Sequence, residues 1–223
     1  MDQETVAVIQ RVAIFMPTFL FALVFHEYAH ARVALHFGDR TSEWSGRLTL
    51  NPIVHLDLFG TLFPLIGIIT GSSYVFGWAK PVPINPREFN NYRKGLFWVA
   101  FAGPLANIFL GFVTAFAYVA FVKYVPRDAS FHDAGSSMLQ SFLGINFMLA
   151  IFNLIPLPPL DGSNMLLSFL SYEATRKFYV VQQYSFMIML FLMFSGAFRI
   201  IQFPIMLLME LSVSLAAFVF GLS

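Results

Sequence analysis

From Val6 to about Phe37 the chain is apolar enough for one membrane-length helix, which Pro17 kinks and Gly38 stops. The polar segment Asp39 to Asp57 follows. Within it, Arg47 to Leu50 alternates polar and apolar side chains between Gly46 and Asn51-Pro52, the pattern of a short strand. Leu58 to Thr70 is apolar but short and holds Gly60, Pro64 and Gly67, which predicts a re-entrant or interfacial segment rather than a crossing. Tyr74 to Pro83 reads as extended chain, with Trp78 suited to the interface. A second long helix runs from about Gly95 to Lys123 and a third from Met138 to about Ile155, joined by the polar loop Tyr124 to Ser137. Pro156, Pro158 and Pro159 break the third helix, after which Leu160-Asp161-Gly162 opens a short one reaching Leu170. Beyond the polar stretch Tyr172 to Gln183 lie two more apolar runs, Tyr184 to Ile201 and Pro204 to Leu222, read as two further spans.

The expected fold is therefore an all-α polytopic membrane protein. A three-helix catalytic core at about 6–175 is followed by two C-terminal spans at about 184–222. A small membrane-associated β-hairpin or strand region is expected beside the core, and 1–223 is read as a single domain.

Composition agrees: of 223 residues 58% are hydrophobic and 11% charged, where soluble domains carry about 25% charged residues. A net charge of +1 argues against a nucleic-acid surface. The chain has no cysteine, which excludes disulfides and thiolate chemistry and leaves any zinc to His, Asp or Glu. Asp2 and Glu4 occupy the place where a signal peptide carries basic residues, so no signal peptide is expected; nor is there an internal repeat of the kind that builds transporters. Basic residues set the orientation. If the first helix ends in the cytoplasm and Leu58 to Thr70 returns to the same side, nine of them (Arg32, Arg40, Arg47, Lys80, Arg87, Arg93, Lys94, Arg176, Lys177) are cytoplasmic and four (Arg11, Lys123, Arg127, Arg199) are not.

The chemistry sits at His26-Glu27-Tyr28-Ala29-His30. An H-E-x-x-H sequence on a helix puts two imidazoles one turn apart on one face, spaced for a single metal ion, with the glutamate beside them. Zinc takes such a pair and a third protein ligand and leaves a position for water, whose proton the glutamate accepts during attack on a carbonyl. A chance match with hydrogen-bonded histidines is the alternative, but three ionisable groups on one turn at bilayer depth are expensive to insert without a function. His26 lies about 30 Å along the helix from Val6, near the cytoplasmic leaflet in this orientation. For the third ligand the candidates are Asp161, Asp57, His55, Asp39 and Glu43. Asp161 leads, since a buried aspartate behind a proline-broken helix needs a cation; capping the helix at Gly162 is its other use. His55 and Asp57 suit supporting or turn-forming roles, while His36 and His132 suit a helix end and a loop.

Four motifs together resemble the site-2 protease family of intramembrane zinc metalloproteases: His26 to His30; Gly46-Arg47-Leu48-Thr49-Leu50-Asn51-Pro52 with His55 and Asp57; Phe101-Ala102-Gly103-Pro104-Leu105-Ala106-Asn107; and Asn153-Leu154-Ile155-Pro156-Leu157-Pro158-Pro159-Leu160-Asp161-Gly162. They appear in family order between about residues 12 and 175. The resemblance implies one zinc ion on His26, His30 and Asp161, Glu27 as catalytic base, and Asn153 handling substrate beside the metal. It implies a transmembrane protein or peptide as substrate, in a bacterial-type inner membrane. Neither the PDZ nor the CBS domain that many members carry is recognised, so the compact members are the closest kind. An unwound substrate is expected to add as a strand along Arg47, Leu48, Thr49 and Leu50 or along Tyr74 to Trp78, with Asn153 fixing it. The competing classes are a membrane metal transporter or store, which should carry polar residues along several helices, a non-catalytic adaptor, which should have lost Glu27 or a ligand, and a hydrolase of prenylated peptides or lipids, which the proline-rich Asp161 motif does not fit.

Overall fold

In the computed structural model, which describes residues 2–72, 77–196 and 199–222, the elements are helices throughout. They are α1 (Gln3–His36), α2 (Thr41–Trp44), α3 (Leu58–Ile69), α4 (Tyr92–Tyr124), α5 (His132–Asn153), α6 (Asp161–Leu167), α7 (Tyr172–Gln182), α8 (Ser185–Phe194) and α9 (Arg199–Val219), with short 3-10 turns at Pro52–His55 and Pro86–Glu88. Among the described residues, α1, α4, α5 and α9 are long and apolar enough to cross a bilayer. The chain is a membrane protein.

Helix ends follow local chemistry. Asp2 accepts the Thr5 N–H at 2.7 Å to start α1, and hydrogen bonding by the Thr5 side chain and backbone holds its carboxyl below the usual carboxylate range. Asn91 does the same for α4 through the Lys94 N–H at 3.1 Å, and Asp57 for α3 through the Gly60 N–H at 2.8 Å. α1 continues through Pro17; the Thr18 hydroxyl turns back on the Ile14 and Phe15 carbonyls at 2.9 and 2.8 Å.

α1, α4 and α5 pack on one another as the core. Fully buried Ala22 and Ala34 lie against α4, the first with its carbonyl bonded to Asn107 and the second beside Val99, and Ala100, Ala102 and Gly103 of α4 are also small, which lets the two backbones come close. Phe19, Ala22 and Leu23 of α1 join Ile145 and Leu149 of α5 and Ala79 in one apolar cluster. α9 covers the outer side of α4 and α5, where Ile205, Leu208, Met209 and Val213 pack on Ala115, Leu143 and Phe147. α3 leans on α1, and α6 is seated against α4.

Two expectations need correction. No strand occurs among the described residues. Tyr74 to Phe76 lie outside them, and Arg47 to Leu50 form a bent loop instead. The reason lies in where the backbone bonds go. The Arg47 N–H returns to the Ser42 carbonyl at 2.8 Å, and the Thr49 carbonyl is taken by His55 Nε2 at 2.8 Å. Opposite them, Pro81 and Pro83 have no N–H to offer a ladder. The C-terminal region also differs: the apolar run 184–201 does not form one span. α8 has ten residues, about 15 Å, half of a hydrocarbon core, and Gly196 follows at φ +76°. Arg199 and Ile200 belong instead to α9, whose helix continues through Pro204.

Candidate metal centre

His26 and His30 of α1 are buried, with Nε2 atoms 3.0 Å apart. Asp161, the first residue of α6, directs Oδ2 at both, 3.1 Å from His26 Nε2 and 3.3 Å from His30 Nε2. Among the described residues these three form the one cluster able to hold a metal ion. Asp161 lies one residue inside the helix start rather than at its N-cap, which is Leu160, and its Oδ2 is buried without a hydrogen-bond partner.

The outer ring nitrogens decide what this convergence means. His30 Nδ1 lies 2.6 Å from the Val99 carbonyl, which only accepts, so the proton is on Nδ1. His26 Nδ1 lies 2.6 Å from Asn107 Oδ1. Asn107 Nδ2 donates to the Ala22 carbonyl at 3.1 Å and to Asn146 Oδ1 at 2.9 Å, which fixes the amide's orientation and makes its oxygen the acceptor. With hydrogen on Nδ1, each imidazole in its neutral form turns an Nε2 lone pair toward the Asp161 carboxylate oxygen. Three lone pairs facing one another in a buried site call for a cation. Tetrahedral zinc with Zn–N near 2.0–2.1 Å separates its ligand atoms by about 3.3 Å, matching the spacing found. A Cβ on Gly103 of α4 would collide with the Nε2 atoms of both histidines, in the volume an ion needs. The donor set, the spacing and the absence of a side chain at Gly103 fit zinc.

Asp161 reaches the histidines because the chain doubles back tightly after α5. The Leu157 N–H bonds the Ile155 carbonyl at 2.8 Å and the Leu160 N–H bonds the Leu157 carbonyl at 2.9 Å, and Gly162 sits so close to the Leu154 and Ile155 carbonyls that no side chain fits. Proline supplies the break and glycine the close approach.

The other candidates are engaged elsewhere. Buried Asp39 accepts the Thr41 and Asn85 N–H groups at 2.9 and 2.7 Å. Glu43 pairs with Arg40 at 2.7 Å on the surface, a hydrogen bond that holds its carboxyl below the usual range. Asp57 caps α3, and His55 is buried against the Thr49 carbonyl. Glu27 is half-buried, and its Oε2 accepts the Val82 N–H at 2.8 Å. Asn153, the last residue of α5, donates Nδ2 to the Leu149 carbonyl at 3.0 Å. Arg47 Nη1 donates to the Lys80 and Pro81 carbonyls at 3.3 and 2.8 Å; Leu48 and Thr49 are half-buried and Leu50 is exposed.

Sequence reasoning gave Asn107, the last residue of the 101–107 motif, no role of its own. Its signal was available: an asparagine in an apolar helix needs a partner. Both Asn107 and Asn146 are fully buried, and Asn146 Nδ2 goes on to the Phe142 carbonyl at 2.8 Å, so α5 is linked through α4 to His26. Replacing Asn107 by Ala should weaken zinc affinity by about 10–100-fold, the usual effect of removing a partner that orients a ligand. Competition titration with a chelator of known affinity measures it.

The model of "Peptidase family M50" matches residues 119–196. Two similar proteins both carry the name "Putative zinc metalloprotease". YwhC of Bacillus subtilis is 38% identical over 176 residues, covering 78% of this chain and 77% of that protein. Rip2 of Mycolicibacterium smegmatis is 31% identical over 183 residues, covering 80% of this chain and 65% of that one. No solved structure matches. With a convergent His26, His30 and Asp161 set inside a bundle of membrane-length helices, and a named relative matched over most of both lengths, the chain belongs to peptidase family M50, the site-2 protease family of zinc metallopeptidases.

Proposed function

We propose that this metallopeptidase hydrolyses a peptide bond within or beside a transmembrane segment of a membrane-protein substrate, with one zinc ion on His26, His30 and Asp161. The observation that carries the reading is the convergence of those ligand atoms about 15 Å from the C-terminal end of a 34-residue apolar helix. A site enclosed by such helices suits a substrate that is itself held in the membrane. The bias of basic residues supports a site facing the cytoplasmic leaflet of a bacterial-type inner membrane.

Zinc, when bound, supplies Lewis acidity toward a carbonyl and lowers the pKa of water. The protein's own groups do the rest. The Asn107 and Val99 oxygens hold the two imidazoles in the tautomer that ligates. Glu27 takes the proton of the attacking water and hands it to the leaving amine. A substrate helix hides its carbonyls in its own hydrogen bonds and must unwind locally; the loop Arg47, Leu48, Thr49 and Leu50, with Asn153, is proposed to receive the unwound stretch. Support for Asn153 is its place at the α5 terminus, eight residues before Asp161; support for the loop is its half-exposed apolar rim.

The test is cleavage of a single-span protein co-reconstituted with the enzyme in liposomes, with the cut mapped by mass spectrometry. A cut inside or within a few residues of the span, abolished by a chelator and restored by zinc, is the expected result. Zinc-loaded, folded protein that leaves a panel of single-span substrates intact would favour a binding or adaptor role.

A further inference from the structure

From Trp78 to Asn85 the chain is a strap without regular secondary structure, paired with no strand among the described residues, and its backbone is bonded by groups outside the metal site. The Lys80 N–H goes to the His55 carbonyl at 2.9 Å, the Lys80 and Pro81 carbonyls accept from Arg47, the Pro83 carbonyl accepts from the Ser42 hydroxyl at 2.6 Å, and the Asn85 N–H goes to Asp39. Pro81 and Pro83 have no N–H, so between Lys80 and Ile84 a single donor remains, that of Val82. It is spent on Glu27 Oε2, at 2.8 Å.

We propose that this Pro-Val-Pro strap is a positioning element for Glu27: the Val82 N–H holds Oε2 and leaves Oε1 turned to the proton it must take. The proposal rests on the reading of Glu27 as the base. A glutamate has three side-chain torsions to freeze, and an N–H to a carboxylate is a strong, charge-assisted bond. Prolines on both sides fix φ at 81 and 83, so the donor is presented with little freedom of its own. Val82 is buried, and the four further anchors named above hold the strap from Lys80 to Asn85. A segment anchored so densely is built to stay, which favours a fixed support over a cover that lifts for each substrate. Arg47, Ser42 and Asp39 then act on the reaction at one remove, by holding the strap that holds the base.

Val82→Pro deletes the donor in a frame already proline-rich, and Val82→Ala keeps the donor while trimming the side chain. Replacing the Val82 residue by its α-hydroxy acid, giving a backbone ester, deletes the N–H with almost no change of shape and decides the matter if the proline variant fails to fold. Kinetics on the reconstituted substrate should show kcat lowered at least about tenfold in the proline and ester variants, with KM and zinc content unchanged and the alanine variant near wild type. In a Glu27→Gln background the ester should do nothing further. An ester variant with wild-type kcat, or an alanine variant as slow as the ester, would overturn the proposal. A rise in kcat would also overturn it, marking the strap as an inhibitory cover. If Glu27→Gln itself cuts at the wild-type rate, the assignment of the base fails, and that failure is read independently of position 82.

Discussion

Glu27→Gln should leave one zinc per chain in place and lower the cleavage rate by at least about 10²–10⁴-fold, the range ascribed to a positioned general base. The amide is nearly isosteric with the carboxylate and still accepts the Val82 N–H through its oxygen, so the strap keeps its anchor. What is lost is the basic lone pair that takes the proton from water. Neither imidazole can substitute, because each has its Nδ1 hydrogen committed, to Asn107 and to Val99, and its Nε2 directed at the ligand cluster. Elemental analysis beside the liposome assay separates the outcomes. Loss of zinc in the variant would mean that Glu27 supports the ligand set rather than the chemistry, and full activity would move the base elsewhere.

Gly103→Ala should remove the metal altogether. The added methyl would meet His30 and His26 at their Nε2 atoms, so it competes for the space of an ion rather than for loose packing. Relief requires α1 and α4 to separate, which gives up contacts of fully buried Ala22 and Ala34; overpacking of a tight core costs typically about 1–3 kcal/mol before any loss of zinc is added. A control is built into the same helix. At Gly111 a methyl would press on the Phe147 ring, far along α4 from the histidines, so Gly111→Ala should lower thermal stability yet retain zinc. Equal zinc loss in both variants would show that general disruption, and not the cradle at Gly103, controls the site.

The sequence carried the convergent His26, His30 and Asp161 set because its signal is short and periodic. His26 and His30 need only 3.6-residue geometry to share a face, and Asp161 stands in a stretch where proline and glycine leave few conformations. The three long helices were legible for a similar reason, through apolar runs bounded by caps. Local alternation misled at Arg47 to Leu50, because whether a strand forms depends on the partner, and the partner spends its bonding groups on side chains across the fold. Pro81 and Pro83 were visible as poor strand residues, but not that Glu27 would take the one N–H between them. Asn107 and Asn146 escaped notice because their meaning is pairwise across helices 39 residues apart in sequence. The run from Tyr184 onward was divided wrongly since hydropathy marks lipid compatibility and not where a helix pauses at Gly196.

The centre draws on four separate pieces of the chain: α1 and α6 bring His26, His30 and Asp161 together, α4 orients both histidines through Asn107 and the Val99 carbonyl, and α5 is bonded to the Asn107 amide. Occupancy and folding are therefore linked, and a ligand present at 100 times its dissociation constant adds about 2.7 kcal/mol to the native state. With zinc on these residues, the enzyme would be a reporter of its own cofactor supply: as free zinc fell, the chains that could not work would be the ones that open first, leaving in the membrane the fraction that is armed.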